Sequence, residues 1–255
     1  MNTLSIVIPA LNEASNLPAV MGTIPAAELA AAGWRTEVVV VDNASTDDTA
    51  AVARALGARV VLQPERGYGN AYLAGFDVAT GDVIATGDAD CTYPFDALPD
   101  LLRTLVDHDV EFMTTDRLHR RNRRAMKASH FVANHALSAL SRTLFRNGLR
   151  DSQSGMWIFR RYIWDGLDVR SRGMAFSQEI KNAATSAGYR FMEVPIEYRT
   201  RGGEVKLNAL PDGMANLRQL FNHRFRRHDA QAPAVESGQA RIPAQQKRSE
   251  RIEAV

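Results

Sequence analysis

Cysteine is the residue that this chain most nearly lacks, because Cys91 is the single one among 255 residues. An intrachain disulfide is therefore impossible, and a zinc site with two or more thiolate ligands is excluded. A chain without disulfides suits a reducing compartment. We therefore expect a cytoplasmic location for this protein.

Long apolar runs and a strong excess of one charge are missing as well. No stretch approaches the ~18 uninterrupted apolar residues of a transmembrane helix, and the first residues do not show the basic and apolar regions of a signal peptide. The sequence thus predicts neither a membrane span nor a secretory leader. Lys and Arg number 31 and Asp and Glu 29, which gives a net charge of +2. This near balance argues against a protein built mainly to bind nucleic acid.

Short β-branched runs alternate with helix-like stretches over the first half of the chain. Apolar runs without polar alternation are typical of strands that helices cover on both faces. Strands that alternate with helices form βαβ units, so the pattern predicts an α/β fold with a largely parallel sheet. The predicted strands are 4–8, 37–41, 59–62, 83–86 and 110–114, and the predicted helices are 14–24, 46–56, 70–79 and 95–106.

The pattern changes after residue 116. Residues 117–127 contain six cationic residues and no acidic one. From residue 229 onward large apolar residues are almost absent, so this segment cannot bury enough surface to offset its ordering entropy, and we predict a disordered tail over 228–255. Between these two segments the sequence predicts helices over 129–146, 176–187 and 211–227 and strands over 156–159 and 191–198.

Three polar clusters stand where predicted strands end. Asn12-Glu13 follows the first strand, Asp42-Asn43-Ala44-Ser45 the second, and Asp88-Ala89-Asp90 the fourth. Ligands of open α/β sheets bind beyond the carboxyl ends of the strands. We therefore expect the three clusters to form one binding site at that edge of the sheet.

The Asp88-Ala89-Asp90 cluster supports three hypotheses. Two carboxylates at this spacing can bind one Mg²⁺ or Mn²⁺ ion, and such an ion would neutralise a diphosphate leaving group. The same residues could form only an acidic turn that caps the next helix. They also match the nucleophile motif of haloacid-dehalogenase-type phosphatases, with Asp88 as the nucleophile. That mechanism needs a second acidic pair, and no Asp-Asp or Gly-Asp-x-x-x-Asp pattern follows residue 116.

The motifs Ile6–Glu13, Val40–Asp47 and Asp88–Asp90, in this order and spacing, resemble those of family 2 glycosyltransferases. The resemblance extends over about residues 3–225. It implies a GT-A fold, a Rossmann-like α/β domain whose mixed, mostly parallel sheet is flanked by helices. This domain would span residues 1–227, with a nucleotide-sugar-binding half over 1–116 and an acceptor-binding half over 117–227. The later segments Arg66–Ala71, Asp151–Gly155 and Glu193–Arg199 look like the polyprenyl-phosphate (dolichyl-phosphate) hexosyltransferase branch.

The resemblance also implies a role for individual residues on the donor side. Asp88 and Asp90 would hold Mg²⁺ or Mn²⁺, with Asp90 as the more direct ligand, and Asp42 would accept a hydrogen bond from the base or the ribose. Ser45 and Asp47 fit the first turn and cap of the next helix. The residues that would contact the UDP- or GDP-linked sugar are Pro9, Asn12, Glu13, Asp42, Arg66, Gly67, Asp88, Ala89, Arg199 and Lys206.

On the acceptor side the resemblance implies that Arg117 and Arg124 hold a polyprenyl phosphate and that Ser154 and Asp151 lie under the sugar. A phosphate is already anionic at pH 7, so this inverting transfer needs no general base. A transferase that acts on the hydroxyl of a small molecule would need one, for which Glu179 and Asp151 are the candidates.

Three further hypotheses concern partners. A catalytically silent nucleotide-sugar-binding protein would not need the Asp-Ala-Asp cluster and the Arg-rich segment. Nucleic-acid binding by residues 117–127 is disfavoured, because this segment has no aromatic residue on which bases could stack. Peripheral membrane contact would rest on the same basic segment and on the amphipathic helix predicted over 211–227.

Overall fold

A sheet of seven strands organises the part of the chain that this computed structural model describes, residues 1–202 and 209–225. The strand order across the sheet is β3-β2-β1-β4-β6-β5-β7. The strands are β1 (Asn2–Ala10), β2 (Trp34–Asp42), β3 (Arg59–Leu62), β4 (Val83–Thr86), β5 (Phe112–Asp116), β6 (Trp157–Arg160) and β7 (Phe191–Pro195).

Helices connect the strands and cover both faces of the sheet. The α-helices are α1 (Leu17–Gly22), α2 (Ala26–Ala31), α3 (Thr49–Ala55), α4 (Tyr68–Val78), α5 (Leu98–Asp107), α6 (Ala128–Phe145), α7 (Phe176–Ser186) and α8 (Ala209–Phe225). Short 3-10 helices lie at Phe95–Ala97, Arg120–Arg124 and Arg161–Gly166.

All neighbouring strands are parallel except at β6, which runs antiparallel to both β4 and β5. The residues that lead into β6 therefore lie at the same sheet edge as the residues that follow β1, β2, β4 and β5. This reversal brings the loop 151–156 to the edge where the polar clusters stand. The mixed, mostly parallel sheet confirms the predicted fold class.

The core occupies both faces of the sheet, which is why the strands read as continuous apolar runs. On β1, Ile6 and Ile8 point to one face and Val7 to the other. The first face is closed by α1, α2 and α5, and Leu102 of α5 is fully buried there. Aromatic residues dominate the second face, where Phe176 of α7 lies in one buried cluster with Tyr72, Phe76, Phe112, Trp157 and Phe159.

The structure confirms β3 and β4 at their predicted bounds, and it moves the ends of most other elements by one to three residues. The helix α2 was not predicted, and β7 ends at Pro195 rather than at 198. Within the described ranges, no helix combines the length and the apolar character needed to cross a membrane. The predicted tail over 228–255 lies outside the described residues.

Candidate active site

The loops at the carboxyl edge of the sheet contain three residues other than glycine in the left-handed backbone region. These are Asn12 (φ 52°), Ala44 (φ 60°) and Cys91 (φ 66°), one in each polar cluster or directly after it. This conformation costs roughly 1–2 kcal/mol for a residue with a Cβ atom. Such strain gathers where the surrounding structure must hold a functional geometry.

The first two clusters are held to each other by hydrogen bonds. The backbone N–H of Asn12 donates to Ser45 Oγ at 2.9 Å, and Asn12 Oδ1 accepts from the Thr46 N–H at 2.7 Å. Asp47 accepts from the backbone N–H groups of Ala14 and Thr49, at 3.2 and 3.0 Å, so its carboxylate joins the two loops. This agrees with a structural role for Ser45 and Asp47.

Two neighbouring residues at the end of β2, Asp42 and Asn43, have different partners. Asp42 is buried and accepts a hydrogen bond from the Ser45 N–H at 2.9 Å. Asn43 donates to the Glu65 carbonyl at 2.7 Å and accepts from the Gly67 N–H at 2.8 Å. Asn43 therefore positions the segment that contains Arg66 and Gly67, a role that the sequence analysis did not assign to it.

The glycines of that segment are needed because the chain passes against the backbone of residues 171–172. A Cβ atom on Gly67 would lie 2.4 Å from the Arg172 carbonyl oxygen, and one on Gly69 would lie 2.3 Å from the Ser171 carbonyl oxygen. The Asn70 N–H donates to the Arg172 carbonyl at 3.0 Å. The structure thus supplies an intramolecular reason for glycine at both positions. Arg66 is exposed at this edge.

Asp88 and Asp90 lie after β4, and each carboxylate has a partner. Asp88 Oδ1 accepts from the Tyr68 hydroxyl at 2.8 Å. Asp90 is buried, its Oδ1 accepts from the Thr92 hydroxyl at 2.6 Å, and its Oδ2 lies 2.6 Å from Arg201 Nη2. Burial and the negative charge of Asp90 raise the pKa of Asp88 to about 7.

These carboxylates fit a hard divalent cation. Mg²⁺ and Mn²⁺ prefer oxygen ligands, and Mg²⁺ is commonly held by one or two carboxylates together with substrate phosphates and water. In the described part of the chain no group of three or more His, Cys, Asp or Glu residues could hold a metal ion. The protein would therefore supply Asp88 and Asp90, and the substrate would supply further ligands.

The segment after β7 runs along the Asp88–Asp90 loop. The Arg199 N–H donates to the Thr92 carbonyl at 2.9 Å, and the Gly202 N–H donates to the Asp90 carbonyl at 2.8 Å. The Arg199 guanidinium itself lies 2.7 Å from Asp96, so in this structure it pairs with the 3-10 helix before α5. Lys206, predicted to contact the donor, lies outside the described residues.

Asn16 links this segment to the first polar cluster, which the sequence analysis did not predict. Its Nδ2 atom donates to Glu13 Oε2 at 2.6 Å and to the Gly202 carbonyl at 3.2 Å. Pro9 lies one residue before the end of β1, and Ala89 is buried between the two aspartates. All the predicted donor-side residues within the described ranges therefore lie in the strands' carboxyl ends or the loops beyond them.

Arg117 and Asp151 form a buried, bidentate ion pair. Arg117 Nε and Nη2 donate to the two carboxylate oxygens at 2.7 and 3.0 Å, and the Arg117 N–H donates to the same carboxylate at 3.1 Å. Burial alone would raise the pKa of Asp151, but the Arg117 guanidinium holds it below its usual value. The Arg117 guanidinium also lies over the Tyr198 ring, 5.3 Å from its centroid.

The loop before β6 approaches the acidic cluster closely. The Gly155 N–H donates to the Tyr93 hydroxyl at 2.6 Å. A Cβ atom on Gly155 would lie 2.3 Å from the Tyr68 hydroxyl and 3.5 Å from Asp88 Oδ1. The Asp151–Gly155 loop and the Asp88 carboxylate are therefore parts of one site.

The remaining predicted residues lie around this loop. Ser154 is buried, with its hydroxyl 2.7 Å from that of Thr115. Glu179 is buried on α7 and accepts from the Ser171 N–H at 2.7 Å. The backbone of Arg124 ends the 3-10 helix Arg120–Arg124, and its side chain is outside the described part of the structure.

Fold and site together define a glycosyltransferase of the GT-A fold, with an Asp-x-Asp pair at the carboxyl edge of the sheet. Residues 5–167 match the family model described as glycosyl transferase family 2. The chain belongs to this family.

Several curated proteins are similar to the chain. It is 37% identical over 221 residues to a low-salt glycan biosynthesis hexosyltransferase of Haloferax volcanii, a match that covers 86% of this chain and 53% of that protein. The chain thus spans about half the length of this relative. An uncharacterised glycosyltransferase of Mycobacterium tuberculosis is 35% identical over 214 residues, covering 82% of this chain and 91% of that one. A dolichyl-phosphate hexose transferase of Haloferax volcanii is 34% identical over 181 residues, or 71% and 78% of the two chains.

A solved structure has the same fold. Glucosyl-3-phosphoglycerate synthase of Mycobacterium tuberculosis, crystallised with Mn²⁺, UDP and glucosyl-3-phosphoglycerate, superposes with a TM-score of 0.67 and 21% identity. The match covers 87% of this chain and 78% of that one. At this identity the likeness shows the fold alone.

Proposed function

We propose that this glycosyltransferase transfers a hexose from a UDP- or GDP-linked sugar to a polyprenyl phosphate, with inversion at the anomeric carbon and with Mg²⁺ or Mn²⁺ as cofactor. The observation that carries the proposal is the contact between the Asp151–Gly155 loop and the Asp88 carboxylate. The loop would face the acceptor and the carboxylate the donor. The domain would span residues 1–227, of which 1–116 would hold the donor and 117–227 the acceptor.

The donor side of the proposal rests on the three polar clusters. Asp42 would bind the nucleoside, and Pro9, Asn12, Glu13, Arg66, Gly67 and Ala89 would surround it. A divalent cation held by Asp88 and Asp90 would neutralise the diphosphate leaving group. The Arg201 guanidinium lies 2.6 Å from Asp90 and would add positive charge near the diphosphate. Arg199 and Lys206, which flank Arg201 in the sequence, would contribute further positive charge. The solved synthase contains Mn²⁺ and UDP, which supports a metal and a nucleotide of this kind.

The acceptor side of the proposal rests on the state of the two candidate bases. Asp151 is engaged on both oxygens by Arg117, and its pKa is held low although burial opposes this. Glu179 accepts the Ser171 N–H. A carboxylate that is already paired is a poor proton acceptor. An acceptor that needs no deprotonation, such as a phosphate, therefore suits this site better than a hydroxyl.

The names of the relatives support the same acceptor class. One is a dolichyl-phosphate hexose transferase, and another, 33% identical over 209 residues, is an undecaprenyl-phosphate 4-deoxy-4-formamido-L-arabinose transferase of Sodalis glossinidius. Arg117 and Arg124 would contribute the positive charge that a lipid phosphate requires, and Ser154 a hydroxyl beside it.

We also propose that the enzyme works at the cytoplasmic face of a membrane as a peripheral protein. The helix α8 exposes Phe221 and Phe225 together with the basic residues Arg218 and Arg224. Exposed aromatic and basic residues on one helix favour attachment to an anionic lipid surface, and such attachment is weak and reversible.

The experiment for this proposal is a donor panel. The purified protein is incubated with Mn²⁺, a set of UDP- and GDP-linked hexoses and a short polyprenyl phosphate, and the products are identified by mass. We expect one donor to yield a hexosyl polyprenyl phosphate, and no product in excess EDTA. Transfer that survives EDTA would remove the metal from the mechanism, and transfer only to a soluble hydroxyl compound would replace the acceptor class.

A further inference from the structure

The helix α7 carries an unusual set of buried polar side chains. Five of its polar or charged residues are at most 3% exposed. Burial of a polar side chain costs free energy unless the side chain finds a hydrogen-bond partner. These residues are Ser177, Gln178, Glu179, Lys181 and Asn182. Four of them form hydrogen bonds with different parts of the protein, so α7 connects segments that are distant in the sequence.

The partners of these side chains fall on both sides of the site. Glu179 holds the Ser171 N–H, next to the backbone against which Gly67 and Gly69 pack on the donor side. Gln178 donates to the Asn216 carbonyl of α8 at 2.6 Å. Gln178 Oε1 also accepts from Gln153 Nε2 at 2.9 Å, on the acceptor side.

Lys181 contacts the loop that we assign to the acceptor. Its ammonium group is fully buried and donates to the Asp151 carbonyl at 3.1 Å and to the Ser154 carbonyl at 2.8 Å. One side chain thus holds both ends of the Asp151–Ser154 turn. Between these ends, Asp151 Oδ1 accepts the Gln153 N–H at 3.0 Å, which fixes the turn further.

The carboxylate and hydroxyl on this turn are the groups that would define the acceptor pocket. Asp151 orients Arg117 through the bidentate ion pair, and the Ser154 hydroxyl lies 2.7 Å from that of Thr115. A shift of the turn would therefore displace Arg117 and Ser154 together. The donor-side contacts of Asn43 and Glu179 do not pass through the turn.

We infer that Lys181 is a positioning residue for the acceptor: its buried ammonium group fixes the Asp151–Ser154 turn and, through it, Arg117. The inference rests on the proposed function for the identity of the acceptor. Burial removes the hydration of the Lys181 ammonium group, which costs free energy that an ion pair in direct contact would offset. The direct partners of the ammonium group are instead the two carbonyl oxygens of the turn. The cost is visible in the pKa of Lys181, which burial lowers to about 7.

The test compares Lys181→Met, which keeps the length of the side chain, with Asn182→Ala as a matched control. Asn182 is the adjacent residue on α7 and is equally buried, but its Oδ1 accepts from Ser141 and Asn147 rather than from the turn. With polyprenyl phosphate as the probe, we expect kcat/KM for the acceptor to fall about 10- to 100-fold in Lys181→Met, the size of loss that a misplacement of about 1 Å produces. The KM for the nucleotide sugar should change less than about twofold, because the donor-side contacts do not pass through the turn.

Amide hydrogen exchange of residues 150–155 gives a second measurement that does not depend on the acceptor. We expect faster exchange there in Lys181→Met than in wild type or Asn182→Ala, with the affinity for the nucleotide unchanged. Lys181→Gln, which keeps one donor group, should give a smaller increase, and it replaces the methionine variant if that variant does not fold.

The outcomes separate the two proposals. Wild-type protein that transfers no hexose to polyprenyl phosphate contradicts the proposed function, while the exchange measurement still decides the role of Lys181. Equal exchange of residues 150–155 in all three proteins overturns the inference, and so does an equal loss of kcat/KM in Lys181→Met and Asn182→Ala.

Discussion

Asp90 is the residue on which the proposed metal chemistry depends most. Its two oxygens have separate partners, since Thr92 binds Oδ1 and Arg201 lies beside Oδ2. Asp90→Asn keeps the size of the side chain and an acceptor for Thr92 but removes the charge that a divalent cation needs. We expect this variant to lose turnover and the Mn²⁺-dependent tightening of nucleotide binding, measured by calorimetry with and without the metal.

The control for this prediction is Asp100→Asn, because Asp100 is an exposed acidic residue of α5 whose carboxylate pairs with Arg103. It should bind Mn²⁺ and nucleotide like wild type. Metal-dependent nucleotide binding that is intact in Asp90→Asn would show that this carboxylate is not a metal ligand.

Arg117 has an observed role, the ion pair with Asp151, and a proposed role in acceptor binding, and a single substitution cannot separate them. Arg117→Met leaves the Asp151 carboxylate buried without its cation, and breaking a buried pair in this way costs about 3–5 kcal/mol of the free energy of unfolding. Adding Asp151→Asn removes the unpaired charge, so the double variant should recover part of that stability in urea unfolding. If Arg117 also holds the acceptor phosphate, transfer to polyprenyl phosphate should stay lost in the double variant. Recovery of transfer together with stability would reduce Arg117 to a structural residue.

At the scale of elements, the contact between α4 and the segment 171–172 depends on a glycine. A Cβ on Gly69 would lie 2.3 Å from a backbone carbonyl oxygen, which cannot move as freely as a side chain. We expect Gly69→Ala to lower the free energy of unfolding by ~1–3 kcal/mol, as overpacking commonly does, and to raise the KM for the nucleotide sugar. Gly148→Ala is the matched control, because no atom lies within 4 Å of its added Cβ. Equal stability of the two variants in urea unfolding would contradict this packing.

The elements also show how much of the fold the sequence could predict. The strands β3 and β4 were predicted at their bounds, since each is a short apolar run between turn residues, and the polar clusters correctly marked one edge of the sheet. The helix α2 was missed because six residues of mostly alanine give little periodic signal.

The part of the site that the sequence could not predict consists of polar side chains that are buried or half-buried. Asn16, Asn43 and Lys181 each bind a segment that is distant in the chain, at residues 202, 67 and 151. Periodicity treats a lysine within a helix as solvent-facing, so nothing in the sequence distinguishes Lys181 from an exposed residue. The role of Asp151 was predicted from the family resemblance, whereas its pairing with Arg117 required the structure.

At the scale of the whole molecule, burial of Lys181 makes stability depend on pH. The pKa of Lys181 is lowered to about 7 in the folded protein, whereas a lysine in an unfolded chain has a pKa of about 10.4. Between these values the unfolded state binds more protons, so this group makes the free energy of unfolding rise with pH, by at most about 1.4 kcal/mol per pH unit. Below about pH 7 both states are protonated and the contribution is constant.

The measurement is urea unfolding of wild type and Lys181→Met at pH 7 and pH 9.5. Subtracting the two proteins removes the titration of groups that do not interact with Lys181; the pKa values of Asp151 and Glu193 do respond to its charge. We expect wild type to gain stability relative to Lys181→Met as the pH rises. A difference that is the same at both pH values would mean that folding does not lower the pKa of Lys181, so that the side chain keeps its proton in both states.

The proposed function requires an acceptor phosphate whose oxygen attacks the sugar without the help of a base. One incubation tests it directly: a short polyprenyl phosphate and the free polyprenol of the same chain length compete in equal amounts for the hexose, with Mn²⁺ and the active donor present. We expect mass spectrometry to find the hexose on the phosphate and none on the alcohol. Hexose on the polyprenol hydroxyl, with the phosphate unmodified, would contradict it.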